Sequence, residues 1–382
     1  MTLQSSGERY AFIVTVPDPS QGIVWQYMLM YYLADNTLEM YDMKNKRTFL
    51  KRCPYPSVRP EHLYVGSIVT VYSRQLTVVD YADEFTRSRL QSRKETTLAM
   101  IKPDAFKNAG EILKAVQDDS FIIAKLRMCL LSKHDAEEFY EEHRGKAFYD
   151  KLTSFISSGP VIAMQLVRDG GIAAWRKLIG PTNSETARAE APSSLRARFG
   201  TDGSFNAVHG SDAPESAARE CAFFFGTGPK KGSLPCMAGA SLLAVRPHAL
   251  QDHSLGSIMT KVMERGFGVA GMELFNIDTA NAAEFLEVYR GVVPEYNAQV
   301  EELTSGPLVA MQLLAPGGGA DNSVQALREL CGPPDPEIAR VLRPESLRAQ
   351  FGVDKVKAAV HCTDLPEDGE LEVNYFFGQT AY

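Results

Sequence analysis

Cysteines are few and scattered: none of the six, at positions 53, 129, 221, 236, 331 and 362, stands in a CxxC spacing with another. That argues against a zinc site and a disulfide framework, and leaves reduced thiols. Basic residues are outnumbered, 40 Lys and Arg against 47 Asp and Glu, which gives a formal net charge of -7. Release of counterions from nucleic-acid phosphates needs a surplus of the other sign, so no nucleic-acid partner is expected. A local basic pocket for one nucleotide stays open. Long apolar runs are missing too. PVIAMQLV, residues 160–167, is among the longest and is far short of a membrane span, while MTLQSSGERY at the start has neither the charged nor the apolar region of a secretory leader. A soluble, intracellular protein with no membrane partner is expected.

With 45% hydrophobic and 23% charged residues, the 382-residue chain can bury two or three cores. Residues 1–90 read as a small β domain. RYAFIVTV, WQYMLMYYL, TLEMYDM, SIVTVYSR and QLTVVDY are rich in Val, Tyr, Thr and Ile, and are broken by ADN, KNKR and CPYPSVRP. TRSRLQSRKE follows as a charged connector. From residue 95 the pattern becomes strands alternating with amphipathic helices. That series runs over 95–226, is followed by the Gly/Pro/Lys linker GTGPKKGSLPCMAG, and then begins again over 240–378.

The second series is a copy of the first. Residues 172–212 and 324–364 align without gaps at 20 identical positions out of 41, where average composition gives roughly 2 to 4. Within them NAVHGSD becomes AAVHCTD, so His209 and His361 stand 152 positions apart. A single histidine on an apolar stretch is usually a satisfied structural residue, and scattered basic residues are usually a solvated face. Here each copy pairs its histidine with a strand ending in KP or RP and with separated cations, in the first copy Lys102, Arg176 and Arg196. Phosphoryl transfer needs that combination, because it is catalysed mainly by positioning and by neutralising phosphate charge. Imidazole can serve as nucleophile near neutral pH, with Ser211 and Glu220 as plausible orienting partners.

KPDA, HGSD and ESAARE, in that order, resemble the nucleoside diphosphate kinase family across residues 95–225. The resemblance implies two ferredoxin-like α+β domains. It also implies a histidine that takes the γ-phosphate of a nucleoside triphosphate such as ATP and passes it to a nucleoside diphosphate, with Mg2+ bridging the phosphates and no metal ligand on the protein. Carried onto this chain, His209 is the phosphorylated residue, with Ser211 and Glu220 orienting it. Lys102, Tyr140 and Asn206 lie around the ribose hydroxyl and γ-phosphate, Arg176, Thr182 and Arg196 hold phosphates, and Phe148 stacks on the base. The first copy departs from the family pattern in TNSETARAEAPSSLR, which is longer than the family's stretch between threonine and arginine.

The second copy keeps His361, Arg328, Arg348 and Glu372 but replaces Lys102 by Arg246, Tyr140 by Leu286, Thr182 by Pro334, Asn206 by Ala358 and Ser211 by Thr363. Its active site therefore reads as eroded. Residues 1–90 resemble the DM-ten module, a pleckstrin-homology-like β domain of ciliary proteins. The whole arrangement is similar to a ciliary member of the kinase family that sits in the axoneme, on the inner wall of doublet microtubules. Partners on that reading are tubulin and other axonemal proteins, and the location is the cytoplasm, the cytoskeleton and the cilium or flagellum. A working enzyme and a purely structural microtubule inner protein both remain open. The two kinase-like units are expected to pack on one another as a pseudo-symmetric pair.

Overall fold

The computed structural model describes residues 8–18, 22–90, 94–317 and 319–378. The first seven residues, which carry most of the leader argument, and residues 91–93 of the connector lie outside them. Compactness divides the chain into one unit of residues 1–94 with 276–307 and a second of residues 95–275 with 308–382.

The first unit holds a six-stranded antiparallel sheet in the order β4-β3-β2-β1-β6-β5. Its strands are β1 (Arg9–Asp18), β2 (Ile23–Tyr32), β3 (Thr37–Asp42), β4 (Arg47–Pro54), β5 (Ile68–Val71) and β6 (Arg74–Tyr81). Phe12, Val14, Leu29, Tyr31, Leu38, Met40, Leu76 and Val78 are buried together in one apolar cluster, the inner face of a pleckstrin-homology-like half-barrel. Sequence pattern placed the β5–β6 break after Arg74. The turn instead falls at Tyr72 and Ser73, with φ of 45° and 63°. Two consecutive positive φ values suit a two-residue hairpin, but the residues that usually signal one are Asn and Gly. The expected connector is also partly structured: Glu84–Leu90 is helical, Asp83 accepts from Thr86 N–H, and Thr86 Oγ1 accepts from Ala11 N–H at 2.8 Å.

The second unit carries the duplicated series on one eight-stranded sheet, in the order β10-β7-β9-β8-β12-β13-β11-β14. The first copy supplies β7 (Lys94–Ile101), β8 (Ile122–Cys129), β9 (Val161–Asp169) and β10 (Val208–Gly210). The second supplies β11 (Ser241–Val245), β12 (Gly268–Phe275), β13 (Leu308–Leu314) and β14 (Val360–Cys362). Numbered within its own copy, each half has the order 4-1-3-2, the ferredoxin-like arrangement, and the two meet through their second strands at the Glu273–Arg127 register pair.

Behind that seam the helices Ala109–Asp118 and Leu255–Glu264 cross. A Cβ on Gly110 would overlap the backbone at Thr260, and one on Gly256 would overlap the backbone at Lys114, its equivalent in the other copy. The Gly256 N–H also donates to Gln117 Oε1 at 2.9 Å, a bond buried at the crossing. Ile112, Leu113, Val116, Ile258, Met259 and Val262 from the two helices share one apolar core. The pseudo-symmetric pairing expected from the duplication is therefore present, with homologous patches joining nonidentical copies.

The linker between the copies is pinned along the sheet. Arg127 Nη2 donates to the Lys231 carbonyl at 2.8 Å, Leu130 N–H to the Gly232 carbonyl at 2.9 Å, and Gln312 Nε2 to the Pro235 carbonyl at 3.0 Å. Because the helix crossing has no room for a methyl group, Gly256→Ala should lower unfolding stability by about 1–3 kcal/mol, the usual cost of overpacking. Urea denaturation followed by circular dichroism measures it. An unchanged midpoint would mean that the two helices part without cost.

Candidate active site

The site is assembled around a tight bend before β10. Val208 N–H donates to the Asn206 carbonyl at 2.7 Å across Ala207, whose φ is +66°. This is a three-residue turn in a backbone region that costs an alanine about 1–3 kcal/mol. Two bonds hold it: Lys102 N–H donates to the Ala207 carbonyl at 2.8 Å, and Ala207 N–H donates to Asp104 Oδ2 at 3.1 Å. Before the bend Asn206 meets Lys102; after it His209 meets Glu220.

His209 Nε2 lies 3.0 Å from Glu220 Oε2, but its N–H direction misses the oxygen, so the two atoms approach without an aligned hydrogen bond. Ser211 Oγ donates to the same Oε2 at 2.6 Å and accepts from Leu98 N–H at 3.1 Å. Burial raises the affinity of Glu220 for a proton. His209, Ser211 and Arg219 outweigh it, and the carboxyl sits below its ordinary pKa. With Nε2 turned to the carboxylate, Nδ1 is the ring nitrogen left for chemistry. Trp175 Nε1 donates to the His209 carbonyl at 3.2 Å, and a Cβ on Gly210 would overlap that indole.

On the other side Lys102 is buried, its Nζ donating to Asn206 Oδ1 at 2.7 Å. Burial first, then Arg196, push the ammonium down to about 7, against smaller upward pulls from Asp104 and Asp202. Asn206 Nδ2 donates to the Thr182 carbonyl at 2.9 Å. Arg196 donates through Nη1 to the Gly180 carbonyl and through Nη2 to the Val208 carbonyl, and burial with the neighbouring Arg176 lowers it to about 10. Its Nε and the Tyr140 hydroxyl are buried without a hydrogen-bond partner among the described residues. Buried polar groups are rarely left so in native proteins, and two such donors beside a histidine suit an anionic ligand.

Tyr140 packs edge-on to His209 with ring centres 5.8 Å apart. Phe148 is 45% exposed, its edge toward His143. Arg176 and Thr182 are exposed, with Asp212 feeling the charge of Arg176. Thus His209, Ser211, Glu220, Lys102, Asn206, Arg196 and Tyr140 form one cluster, whereas Phe148, Arg176 and Thr182 present exposed side chains to solvent. Asp104 and Trp175 were passed over as individual residues in the sequence. Their roles are backbone bonds, which no spacing advertises.

The second copy repeats the bend, with Ala359 at φ +66° and Val360 N–H to the Ala358 carbonyl at 2.8 Å. His248 Nε2 replaces Asp104 as acceptor, at 3.2 Å from Ala359 N. His361 is gripped by both oxygens of Glu372 at 3.1 Å, and its side chain is 5% exposed against 18% for His209. Burial lowers its pKa, but Glu372 raises it more, so the ring is biased toward the protonated form that has no lone pair to offer.

Two ferredoxin-like copies, each with a histidine on its edge strand, a hydroxyl just after it and a carboxylate on the helix that follows, define a duplicated protein of one family. The nucleoside diphosphate kinase model matches residues 95–229 and 240–382, and the chain belongs to that family. Residues 4–92 match the model described as the nucleoside diphosphate kinase 7 N-terminal PH domain. The chain is 50% identical to nucleoside diphosphate kinase homolog 7 of Rattus norvegicus over 378 residues, 98% of this chain and 94% of that protein. The corresponding Mus musculus protein is 48% identical over 381 residues, 99% of this chain and 95% of its own length. A nucleoside diphosphate kinase of Desulfotalea psychrophila is 48% identical over 133 residues, 34% of this chain and 95% of that protein.

The buried ammonium supplies a test with a definite sign. Lys102 binds its proton less tightly folded, near pH 7, than unfolded, near 10.5. Between those values the unfolded state holds more protons, so stability rises with pH. Lys102→Met should therefore be more stable than the wild type below pH 7, with the difference shrinking toward pH 10.5. Urea midpoints across pH measure this, and a difference that grows with pH would refute it.

Proposed function

We propose that the first copy transfers the γ-phosphate of a nucleoside triphosphate to a nucleoside diphosphate through phosphohistidine at His209. The observation that carries this reading is the joint presence of His209 Nε2 3.0 Å from the Glu220 carboxylate, the Lys102–Asn206 pair, and the buried donors Arg196 Nε and Tyr140 hydroxyl with no partner among the described residues.

Nδ1 of His209 attacks the γ-phosphorus. The Nδ1–P bond forms as the bond to the β,γ-bridging oxygen breaks, and the nucleoside diphosphate leaves with that electron pair. A terminal oxygen of the second diphosphate then attacks phosphorus, and the Nδ1–P bond breaks to return neutral imidazole. Glu220 stabilises the positive charge that the ring carries while phosphorylated, and Ser211 keeps the carboxylate in place. Lys102, Arg176 and Arg196 oppose the charge on the phosphate oxygens, and Asn206 and Tyr140 are within the same cluster to meet the sugar. Phe148, exposed and aromatic, offers a face to any base. This cationic donor set fits phosphates that bring Mg2+ with them, and the ion would supply further charge neutralisation on the phosphate oxygens.

The second copy is inactive on this reading, because His361 is sealed and Lys102, Asn206 and Thr182 have no like counterparts. Wild-type protein incubated with labelled ATP and Mg2+ should carry acid-labile phosphate. His209→Ala should lose transfer by orders of magnitude, since positioning supplies much of the barrier lowering in such reactions. His361→Ala should barely change it. Transfer that survives in His209→Ala and disappears in His361→Ala would reverse the assignment.

We also propose that the chain serves in the ciliary or flagellar axoneme, against tubulin and other proteins of the doublet microtubule, with the β module as a contact surface. Support comes from the module itself, which carries none of the histidine and arginine set and matches an N-terminal domain found with kinase homolog 7. Salt-extracted axonemes should retain the chain, and that fraction should show phosphotransfer. Complete release into the soluble fraction would remove the structural part of the proposal.

A further inference from the structure

The second copy has not merely lost residues. It also carries a cavity of about 520 Å3 lined by Arg328, Arg343 and Arg348, with Pro334, Glu329 and Asp364 also on its wall. The volume is within the usual range for small-ligand pockets. Arg328 and Arg348 correspond to Arg176 and Arg196, but Arg343 stands where the first copy has Ala191. An arginine has been added over the two that were kept.

Side-chain bonds fix two of these arginines, and a helix end fixes the backbone of the third. Arg348 is buried, with Nη1 donating to the Gly332 carbonyl at 2.7 Å and Nε to the Val360 carbonyl at 3.2 Å. Its Nη2 reaches Cys362 Sγ at 3.6 Å. Arg328 Nη1 donates to the Asp364 carbonyl at 2.9 Å. Arg343 ends the helix Pro336–Leu342, its N–H bonded to the Ala339 carbonyl at 2.7 Å. A guanidinium has five N–H donors, so one or two bonds to carbonyls leave others for an anion. Against the three cations stand two carboxylates, Glu329 and Asp364, which leaves the wall one positive charge in surplus.

The groups that would hold a nucleoside are absent from this wall. Tyr140 is replaced by Leu286 and Asn206 by Ala358, neither of which offers a side-chain hydrogen bond to a sugar, and Arg246, in place of Lys102, spends Nη1 on the Val356 carbonyl at 2.6 Å. We propose that this cavity is a non-catalytic receptor for a diphosphate-type anion, recognised through its phosphate oxygens and without regard to a base or sugar. Arg343 is the residue that sets its affinity. The proposal does not depend on catalysis at His209.

Hydrogen–deuterium exchange of the full chain, resolved by peptide, tests it with inorganic diphosphate as the probe. Diphosphate should slow exchange across residues 324–348, and adenosine or sodium chloride at matched ionic strength should not. Arg343→Ala should raise the diphosphate concentration needed for that protection about tenfold, the share of one charge-assisted contact. Arg343→Lys should restore part of it. Alanine at the equivalent place, Ala191, already ends the matching helix in the first copy, so the variant keeps its fold. Protection that is confined to residues 176–209, that chloride reproduces, or that Arg343→Ala leaves unchanged would overturn the proposal.

Discussion

The bend at Ala207, held open by the Lys102 N–H and the Asp104 carboxylate, is the constraint on which the site depends. It forces an alanine to a positive φ, and the cost is borne because β10 is only three residues long and must deliver two different groups within four positions. Asn206 reaches the buried ammonium on one side, and His209 reaches the buried carboxylate on the other. The same bend recurs at Ala359 with the same φ, although His248 has taken over the acceptor's place. The backbone device has outlasted the side chains that it once served.

Asymmetry between the copies arises at the histidine. In the first, Trp175 fills the space beside Gly210 and bonds the His209 carbonyl; in the second, Leu327 and Cys362 stand at those positions. Cys362 lies under Arg348, and His361 is drawn fully onto Glu372. A ring so held and so buried has both its position and its proton tied to Glu372, whereas the more exposed ring of His209 keeps one nitrogen for a substrate. The shared sheet and the Gly110–Gly256 crossing bind the two halves into one body, so the altered copy still supports the other.

Much of this was legible in the sequence. Duplication is visible without gaps, and alternating strands and amphipathic helices follow from apolar periodicity. The cluster of His209, Ser211, Glu220, Lys102 and Asn206 comes from motifs that lie far apart in the chain and meet only on the sheet. What stayed hidden has physical reasons. The hairpin at Tyr72–Ser73 uses residues that carry no turn signal, and the stretch noted only as longer than the family's holds a helix, Ser184–Glu190, set by an Asn183 cap. Trp175 looks like any core aromatic until its indole N–H is seen on the His209 carbonyl. The fixed course of the linker depends on carbonyls, which have no letter in the alphabet.

The most direct measurement is where phosphorus is attached. Nitrogen-15 and phosphorus-31 NMR of the full chain, imidazole-labelled and phosphorylated by ATP, distinguishes the two ring nitrogens and the two histidines. The account predicts one phosphohistidine, at Nδ1 of His209, with Nε2 still facing Glu220. Phosphate on Nε2, or on His361, would contradict it.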